Sequence, residues 1–233
     1  MIIKAVILDF GGTLADGSID WDEYHRAIQG LLKGLGFSVK LSRLKRAISA
    51  SLERLERVRA RGDELTLEEV YAHALSRLGV PAEEETLRMI HDLFRAHFKT
   101  TLLPGVEEVL GELSERYRLA LLSNTMSDTP RIVLQRTGLI DHFDLVVCSS
   151  DLGIRKPNPR IFHYVLERLG VEAGEAVHVG DSVEADMEGA SRAGIRGIWI
   201  RGSEPSSWNG PVIESVSELP KLLTEMDDDP RSR

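Results

Sequence analysis

The hydrophobic positions fall into two regimes along the chain. Ile2 to Leu8 is a short β-branched run ending at Asp9 and a glycine-opened turn, which suits a strand buried in a parallel sheet. After Leu14 the period lengthens. Trp21, Tyr24, Ile28, Leu31, Leu32 and Leu35 recur at three- and four-residue steps and mark one face of a helix. Leu41, Leu44, Ile48, Leu52, Leu55 and Val58 repeat the pattern, as do Leu67, Val70, Tyr71, Ala74, Leu75 and Leu78. A fourth set is Leu87, Ile90, Leu93, Phe94, His97 and Phe98, and Thr66 with Glu69 forms a capping-box signature for the third. Four amphipathic helices with no strand between them predict a bundle over roughly residues 15–101.

From Leu103-Pro104-Gly105 onward helix and strand patterns alternate. Helices are predicted at Val106–Arg116, Thr129–Thr137, Ile161–Leu169 and Val183–Ala193. Strands are predicted at Arg118–Ser123, Leu145–Ser149, Ala176–Gly180 and Gly197–Ile200. Such alternation specifies a parallel sheet covered by helices on both faces. Gly202 to Pro211 reads as an irregular loop and Asp227 to Arg233 as a frayed tail. The chain is therefore an α/β protein, with residues 1–14 and 102–233 forming the sheet domain and the helical segment inserted after its first strand.

Ligands of open α/β sheets bind beyond the carboxyl ends of the strands. Asp9, Ser123 and Asp181 each stand at such an end, and Lys156 falls in the loop after the third strand of the sheet domain. Each alone has an ordinary reading, as a helix cap or a surface side chain. Together they supply complementary parts. An Asp carboxylate can attack a phosphoryl group and form an aspartyl-phosphate. Lys156 offers a mobile point charge for the phosphoryl oxygens. Ser123, with the backbone N–H groups around it and Asn124, can hold one of those oxygens. Asp9 and Asp181 are the hard oxygen ligands that Mg²⁺ prefers. Asp186 lies in the first turns of the next helix, placed to orient Lys156 or a water on the metal. Gly180, Gly189 and the Ala193-Gly194 pair are read as backbone geometry at tight strand–helix turns.

Asp9-Phe10-Gly11-Gly12-Thr13, then Ser123, then Lys156 before a proline, then Gly180-Asp181 with Asp186 five residues on, resemble the four motifs of the haloacid dehalogenase superfamily. The resemblance spans both ends of the chain. It implies a Rossmann-like, doubly wound sheet of strand order 3-2-1-4-5 under an inserted helical cap of the first-insertion type. It also implies Asp9 as nucleophile, Lys156 as its cationic partner, and Ser123, Asn124 and Lys156 on the phosphoryl group. Mg²⁺ would be held by Asp9, the Gly11 carbonyl and Asp181, with Asp186 supporting them.

One position departs from the family pattern. Most members carry an Asp two residues after the nucleophile, which protonates the leaving group and later activates water. Gly11 keeps the carbonyl and lacks the carboxyl, removing help worth about 10²- to 10⁴-fold in typical cases. Branches with Gly at this point include working phosphatases. A water on the metal, a good leaving group, Asp16 or His25 are the candidate substitutes. The ordinary readings are a packed or surface histidine for His25 and turn formation with Gly17 for Asp16. Trp21 and Tyr24 are read as bundle core, and Arg26 as a possible substrate contact.

Three functional readings follow. The first is a Mg²⁺-dependent phosphatase of a small phosphorylated metabolite. The second is a metal-independent 2-haloacid dehalogenase-type hydrolase, against which Asp181 argues, because attack on carbon needs no extra acidic ligand. The third is a catalytically weak relative that binds a phosphorylated ligand or a protein. A phosphomutase is disfavoured, since returning a phosphoryl group to a hydroxyl needs the missing base.

Bulk properties trim the alternatives. With 233 residues and 42% hydrophobic content a substantial core is available. The net charge is −8, and the only conspicuously basic stretch, Arg43 to Arg61, alternates with Glu and apolar positions. That stretch reads as a solvated helix face, and nucleic acid is a poor partner. The single cysteine, Cys148, lies in an apolar run and reads as a buried strand residue. The chain opens on a strand without a signal-peptide pattern, and no apolar run approaches the roughly 18–20 residues of a membrane span. A cytoplasmic, non-membrane protein is the expectation. The pattern specifies no oligomeric state.

Overall fold

The computed structural model describes residues 2–201 and 208–228. Within the expected loop from Gly202, residues 202–207 lie outside the described residues, as do 229–233 of the expected tail. The elements, in chain order, begin with strands β1 (Ala5–Leu8) and β2 (Ala15–Ile19), then helices α1 (Trp21–Gly34), α2 (Leu41–Arg59), α3 (Leu67–Leu78) and α4 (Glu84–His97). Strand β3 (Phe98–Leu102), α5 (Val106–Ser114), β4 (Arg118–Ser123), α6 (Thr129–Thr137), β5 (Leu145–Cys148), α7 (Ser149–Leu152) and α8 (Pro159–Leu169) follow. The chain continues through β6 (Ala176–Gly180), a π-helical turn (Val183–Glu188), α9 (Gly189–Arg192), β7 (Arg196–Ile200), β8 (Val212–Ile213) and α10 (Leu219–Asp228). Two compact units result: residues up to Asp16 together with those from Thr101 onward, and Gly17–Thr100.

In the first unit a six-stranded sheet has the order β5-β4-β1-β6-β7-β8, with every pairing parallel. Renumbered within the sheet, this is the expected 3-2-1-4-5 order with one short edge strand added. The strands are apolar on both faces because both are covered. Val6, Leu8, Leu119, Leu121, Val177 and Val179 join the core on one face, with Leu110, Leu113, Leu219 and Leu223. Ala5, Ile7, Ala120 and Leu122 join the core on the other, with Ile161, Phe162 and Val165 of α8. Cys148 is fully buried, as expected. Burial pushes its thiol up to about 12, so it is inert.

In the second unit four helices bury Tyr24, Ile28, Leu32, Leu44, Ile48, Leu55, Leu67, Leu75 and Ile90. The Tyr24 hydroxyl donates to the Ile90 carbonyl at 3.3 Å. The Thr66–Glu69 capping box forms, and Asp20 caps α1 by accepting from the Asp22 and Glu23 N–H groups.

Several expectations are corrected. Trp21 is 43% exposed rather than core, its ring lying near Tyr24, His25 and Phe94. Phe98 opens a strand instead of closing the fourth helix, and β2 and β3 pair as a two-stranded sheet. The run Phe98-Lys99-Thr100-Thr101-Leu102 alternates in exposure with a period of two, which a helical reading of its first residue obscured. The segment from Val183, expected as one helix, opens with the π-helical turn, an arrangement that concentrates at functional sites. Helix α10 occupies the start of what reads as tail. Among the described residues no helix is long and apolar enough to cross a membrane.

Candidate active site

The ends of the central strands set the site. Leu8 pairs with Leu121 on one side and Val179 on the other, so Asp9 emerges between β4 and β6. Its N–H donates to the Val179 carbonyl at 2.9 Å. The next turn is tight, with the Phe10 carbonyl accepting from the Leu14 and Ala15 N–H groups. Gly12 has a φ of +67°, and a Cβ there would sit 2.2 Å from Asp181 Oδ2. Gly11 is different: a Cβ there would meet nothing within 4 Å.

Lys156 is 2% exposed, and its ammonium has three acceptors. These are Asp9 Oδ1 at 2.6 Å, Asp186 Oδ1 at 2.6 Å and the Leu122 carbonyl at 2.8 Å. They match the three donors an ammonium carries. The backbone of Lys156 is held by Asn124: its amide donates to the Lys156 carbonyl, and its oxygen accepts from the Lys156 N–H, both at 2.9 Å. Ser123, the last residue of β4, is buried beside this lock. The loop that follows is braced by hydroxyls. The Thr125 N–H donates to Ser149 Oγ at 2.8 Å, and Ser127 Oγ pairs with Thr129 Oγ1 at 2.9 Å.

Asp186 projects from the π-helical turn, 1% exposed. Besides Lys156 it accepts from His178 Nε2 at 2.9 Å on Oδ1 and from the Ser182 N–H at 3.0 Å on Oδ2. Its carboxyl rests against Gly180, where a Cβ would be 2.3 Å from Asp186 Cγ. Gly180 thus provides space rather than an unusual turn conformation. Five residues earlier, the Asp181 carbonyl accepts from the Trp199 indole N–H at 2.8 Å.

Electrostatics follow from burial. Desolvation raises the Asp9 carboxyl to about 7 against the pull of Lys156, and the nearby charge of Asp186 adds to the rise. Burial works on Asp186 in the same direction, but Lys156 and then His178 outweigh it and hold that carboxyl below the usual range. Lys156 is disfavoured by burial yet raised by Asp186 and Asp9, so it stays charged. Burial keeps His178 low and hence neutral; facing an ionised carboxylate, it carries its proton on Nε2. Asp181 is raised by burial and then by Asp186.

Carboxylate oxygens of Asp9, Asp181 and Asp186 lie within 4.8 Å of one another. Burial raises the Asp9 and Asp181 carboxyls, and their clustered hard oxygens suit a divalent cation such as Mg²⁺. Asp186 is already committed to Lys156, His178 and Ser182, so Asp9 and Asp181 are the carboxylates left to hold it.

Residues 3–194 match the family model described as haloacid dehalogenase-like hydrolase. The chain belongs to the haloacid dehalogenase-like hydrolases. It is 39% identical over 158 residues to a phosphoserine phosphatase of Thermus thermophilus, a match covering 67% of this chain and 63% of that protein. It is 32% identical over 203 residues to a glyceraldehyde 3-phosphate phosphatase of Methanopyrus kandleri, covering 86% and 84%. A solved 2-haloacid dehalogenase from Pseudomonas syringae pv. Tomato superposes with a TM-score of 0.68 at 26% identity, covering 96% of this chain and 99% of that one. The chain thus spans less than two thirds of the length of the Thermus relative.

Within this hydrolase, Asp9, Lys156 and Asp186 meet directly and Asp181 lies beside them. Asn124 reaches the cluster as a brace on the Lys156 backbone, its side-chain amide being occupied there. Asp16 is exposed, and its charge is felt at Asp181. His25 belongs to the helical unit, where its ring nitrogens make no hydrogen bond and the ring lies near Trp21 and Tyr24. His178, Ser182 and Trp199 join the site from outside the named positions of the four sequence motifs. A histidine inside the apolar strand Ala176-Val177-His178-Val179-Gly180 was a readable signal, because a fully buried titratable side chain needs a partner.

Proposed function

We propose that this protein is a Mg²⁺-dependent phosphatase of a small phosphorylated metabolite, working through an aspartyl-phosphate on Asp9. The observation that carries it is the buried Asp9–Lys156–Asp186 cluster with Asp181 at its edge. The names of the two phosphatase relatives support the same chemistry. An Asp9 oxygen attacks phosphorus as the ester P–O bond breaks, and the departing alkoxide takes its proton from water. A second water then attacks phosphorus, freeing Asp9 and inorganic phosphate. Lys156 holds Asp9 in place and offers its charge to the phosphoryl oxygens, while Ser123 and the backbone N–H groups of its loop hold one of them. Asp9, the Gly11 carbonyl and Asp181 would hold Mg²⁺. When bound, the ion supplies positive charge for Asp9 and the phosphoryl group.

No protein carboxyl stands at Gly11 to donate the leaving-group proton, so esters with good leaving groups are favoured. The second reading is a dehalogenase-type hydrolase, which the absent acid and the likeness to the Pseudomonas syringae enzyme favour. The test is hydrolysis of an aryl phosphate with Mg²⁺ and with EDTA, alongside 2-chloropropionate in EDTA. Turnover of the phosphate that EDTA abolishes is the expected result. Turnover of the haloacid in EDTA, with none of the phosphate in Mg²⁺, would replace the first reading by the second.

A further inference from the structure

Beneath the acidic turn, two neighbouring strands carry the same device. On β6, His178 and Gly180 are two residues apart and so share a face. Gly180 lets the Asp186 carboxyl lie against the strand, and His178 donates to it at 2.9 Å. On β7, Gly197 and Trp199 share a face in the same way. A Cβ at Gly197 would sit 2.8 Å from Met187 Sδ, and Trp199 donates to the Asp181 carbonyl at 2.8 Å. The strands are hydrogen-bonded neighbours, with His178 opposite Gly197 and Gly180 opposite Trp199. Each glycine admits the 181–187 segment, and each ring N–H fixes one of its two aspartates.

Neither ring is free to turn away. His178 is 0% exposed with its ring edge-on to Phe162 at 5.0 Å between centroids, and Trp199 is 5% exposed. The consequences differ. Asp186 Oδ1 accepts from both His178 and Lys156, so the histidine fixes the carboxylate that fixes the ammonium on Asp9. Trp199 acts on the backbone of Asp181, whose side chain rests on Gly12.

We propose that His178 and Trp199 are positioning residues with separate tasks: His178 aligns Lys156 through Asp186, and Trp199 sets Asp181 for the metal ion. The proposal rests on the phosphatase reading for its kinetic consequences, but not for its geometric ones. Groups that orient a ligating or catalytic residue in this way typically carry about 10- to 100-fold in affinity or activity.

The test uses His178→Leu, His178→Gln and Trp199→Phe in the full chain, each first checked for folding by circular dichroism. With an aryl phosphate, His178→Leu should lower kcat about 10- to 100-fold at saturating Mg²⁺ with KM little changed. His178→Gln, which restores an N–H at the end of a planar amide, should recover most of that loss. Trp199→Phe keeps an aromatic ring but lacks the donor; it should weaken Mg²⁺ binding about 10-fold by calorimetry and lower turnover at limiting Mg²⁺, a loss that saturating Mg²⁺ recovers. Two further readouts need no turnover: the calorimetric Mg²⁺ constant and the ¹⁵N resonance of the buried Lys156 ammonium. That resonance should move in His178→Leu and stay in Trp199→Phe. A folded His178→Leu with wild-type kcat and an unmoved Lys156 signal would overturn the histidine's role, as would failure of Gln to outperform Leu. An unchanged Mg²⁺ constant in Trp199→Phe would overturn the tryptophan's. If wild type lacks turnover altogether, the phosphatase reading fails, and the two non-kinetic readouts still decide this proposal.

Discussion

The protein contains two ionic networks of similar composition and opposite character. On α4, Arg88 reaches Glu85 at 2.6 Å and Asp92 at 3.2 Å, and Arg95 reaches Asp92 at 2.8 Å. Glu85, Arg88 and Asp92 stand in solvent, Arg88 being 60% exposed, with Arg95 half-buried beside them, and their pairing follows from three- and four-residue helical spacing. At the strand ends, Asp9, Lys156, Asp186 and His178 make contacts of the same lengths with almost no exposure. Water screens the first network, and its loss costs little. The second has been stripped of water, so each charge depends on the others, and removing one leaves its partners stranded. Burial lifts Asp9 against the pull of Lys156, while Lys156 and His178 outweigh burial at Asp186, so two carboxyls on the same ammonium move in opposite directions. Distance alone therefore says nothing about function; burial with unequal partners does.

The largest expected effect comes from removing the shared cation. Lys156→Ala should abolish turnover and lower stability by about 3–5 kcal/mol, read from the denaturant midpoint. A loss no greater than that of a surface substitution would erase the distinction between the networks.

Next is Gly11→Asp, for which the backbone leaves room. Restoring a carboxyl there should raise kcat up to about 10²-fold, on an alkyl phosphate by helping both the leaving group and the attacking water, and on an aryl phosphate by helping the water alone. Equal or lower activity on both, with Mg²⁺ binding intact, would show that acid–base help is not what limits this enzyme.

A smaller effect separates the networks by pH. With its folded value raised from 3.8 to about 7, Asp9 keeps a proton that the unfolded chain has already lost. In that window stability therefore falls as pH rises. Without metal, wild type should lose melting temperature relative to Asp9→Asn between about pH 4 and 7. Mg²⁺, which competes with that proton, should raise the wild-type melting temperature more at pH 8 than at pH 5. An equal gain at both would mean the ion does not bind at Asp9. The smallest effect is that of Arg88→Ala, whose unfolding midpoint should match wild type within error.

Much of this was legible in the sequence because it depends on order along the chain. The strand-end positions of Asp9, Ser123 and Asp181, the apolar strands and the four helical stripes each follow from local periodicity. What escaped depends on partners distant in sequence. Asn124 offers its amide to a backbone 32 residues away, so its bracing role has no local signature. His178 and Trp199 gain meaning only once β6 and β7 pair and the face beneath the turn is set. Trp21 sits on the helical stripe but near its end, where the bundle no longer covers it. Helix α10 did carry a pattern, Leu219, Leu222, Leu223 and Met226 at helical steps, which the acidic residues after it masked.

The nucleophile is the centre of this account, and it can be observed directly. Without a base at Gly11 the aspartyl-phosphate should break down slowly enough to accumulate. Acid quench of the enzyme turning over an aryl phosphate with Mg²⁺, followed by peptide mass spectrometry, should find one phosphoryl group on the peptide bearing Asp9. Asp9→Asn should show neither phosphoenzyme nor turnover. Phosphate release with no covalent species on Asp9, or turnover that survives in Asp9→Asn, would contradict it.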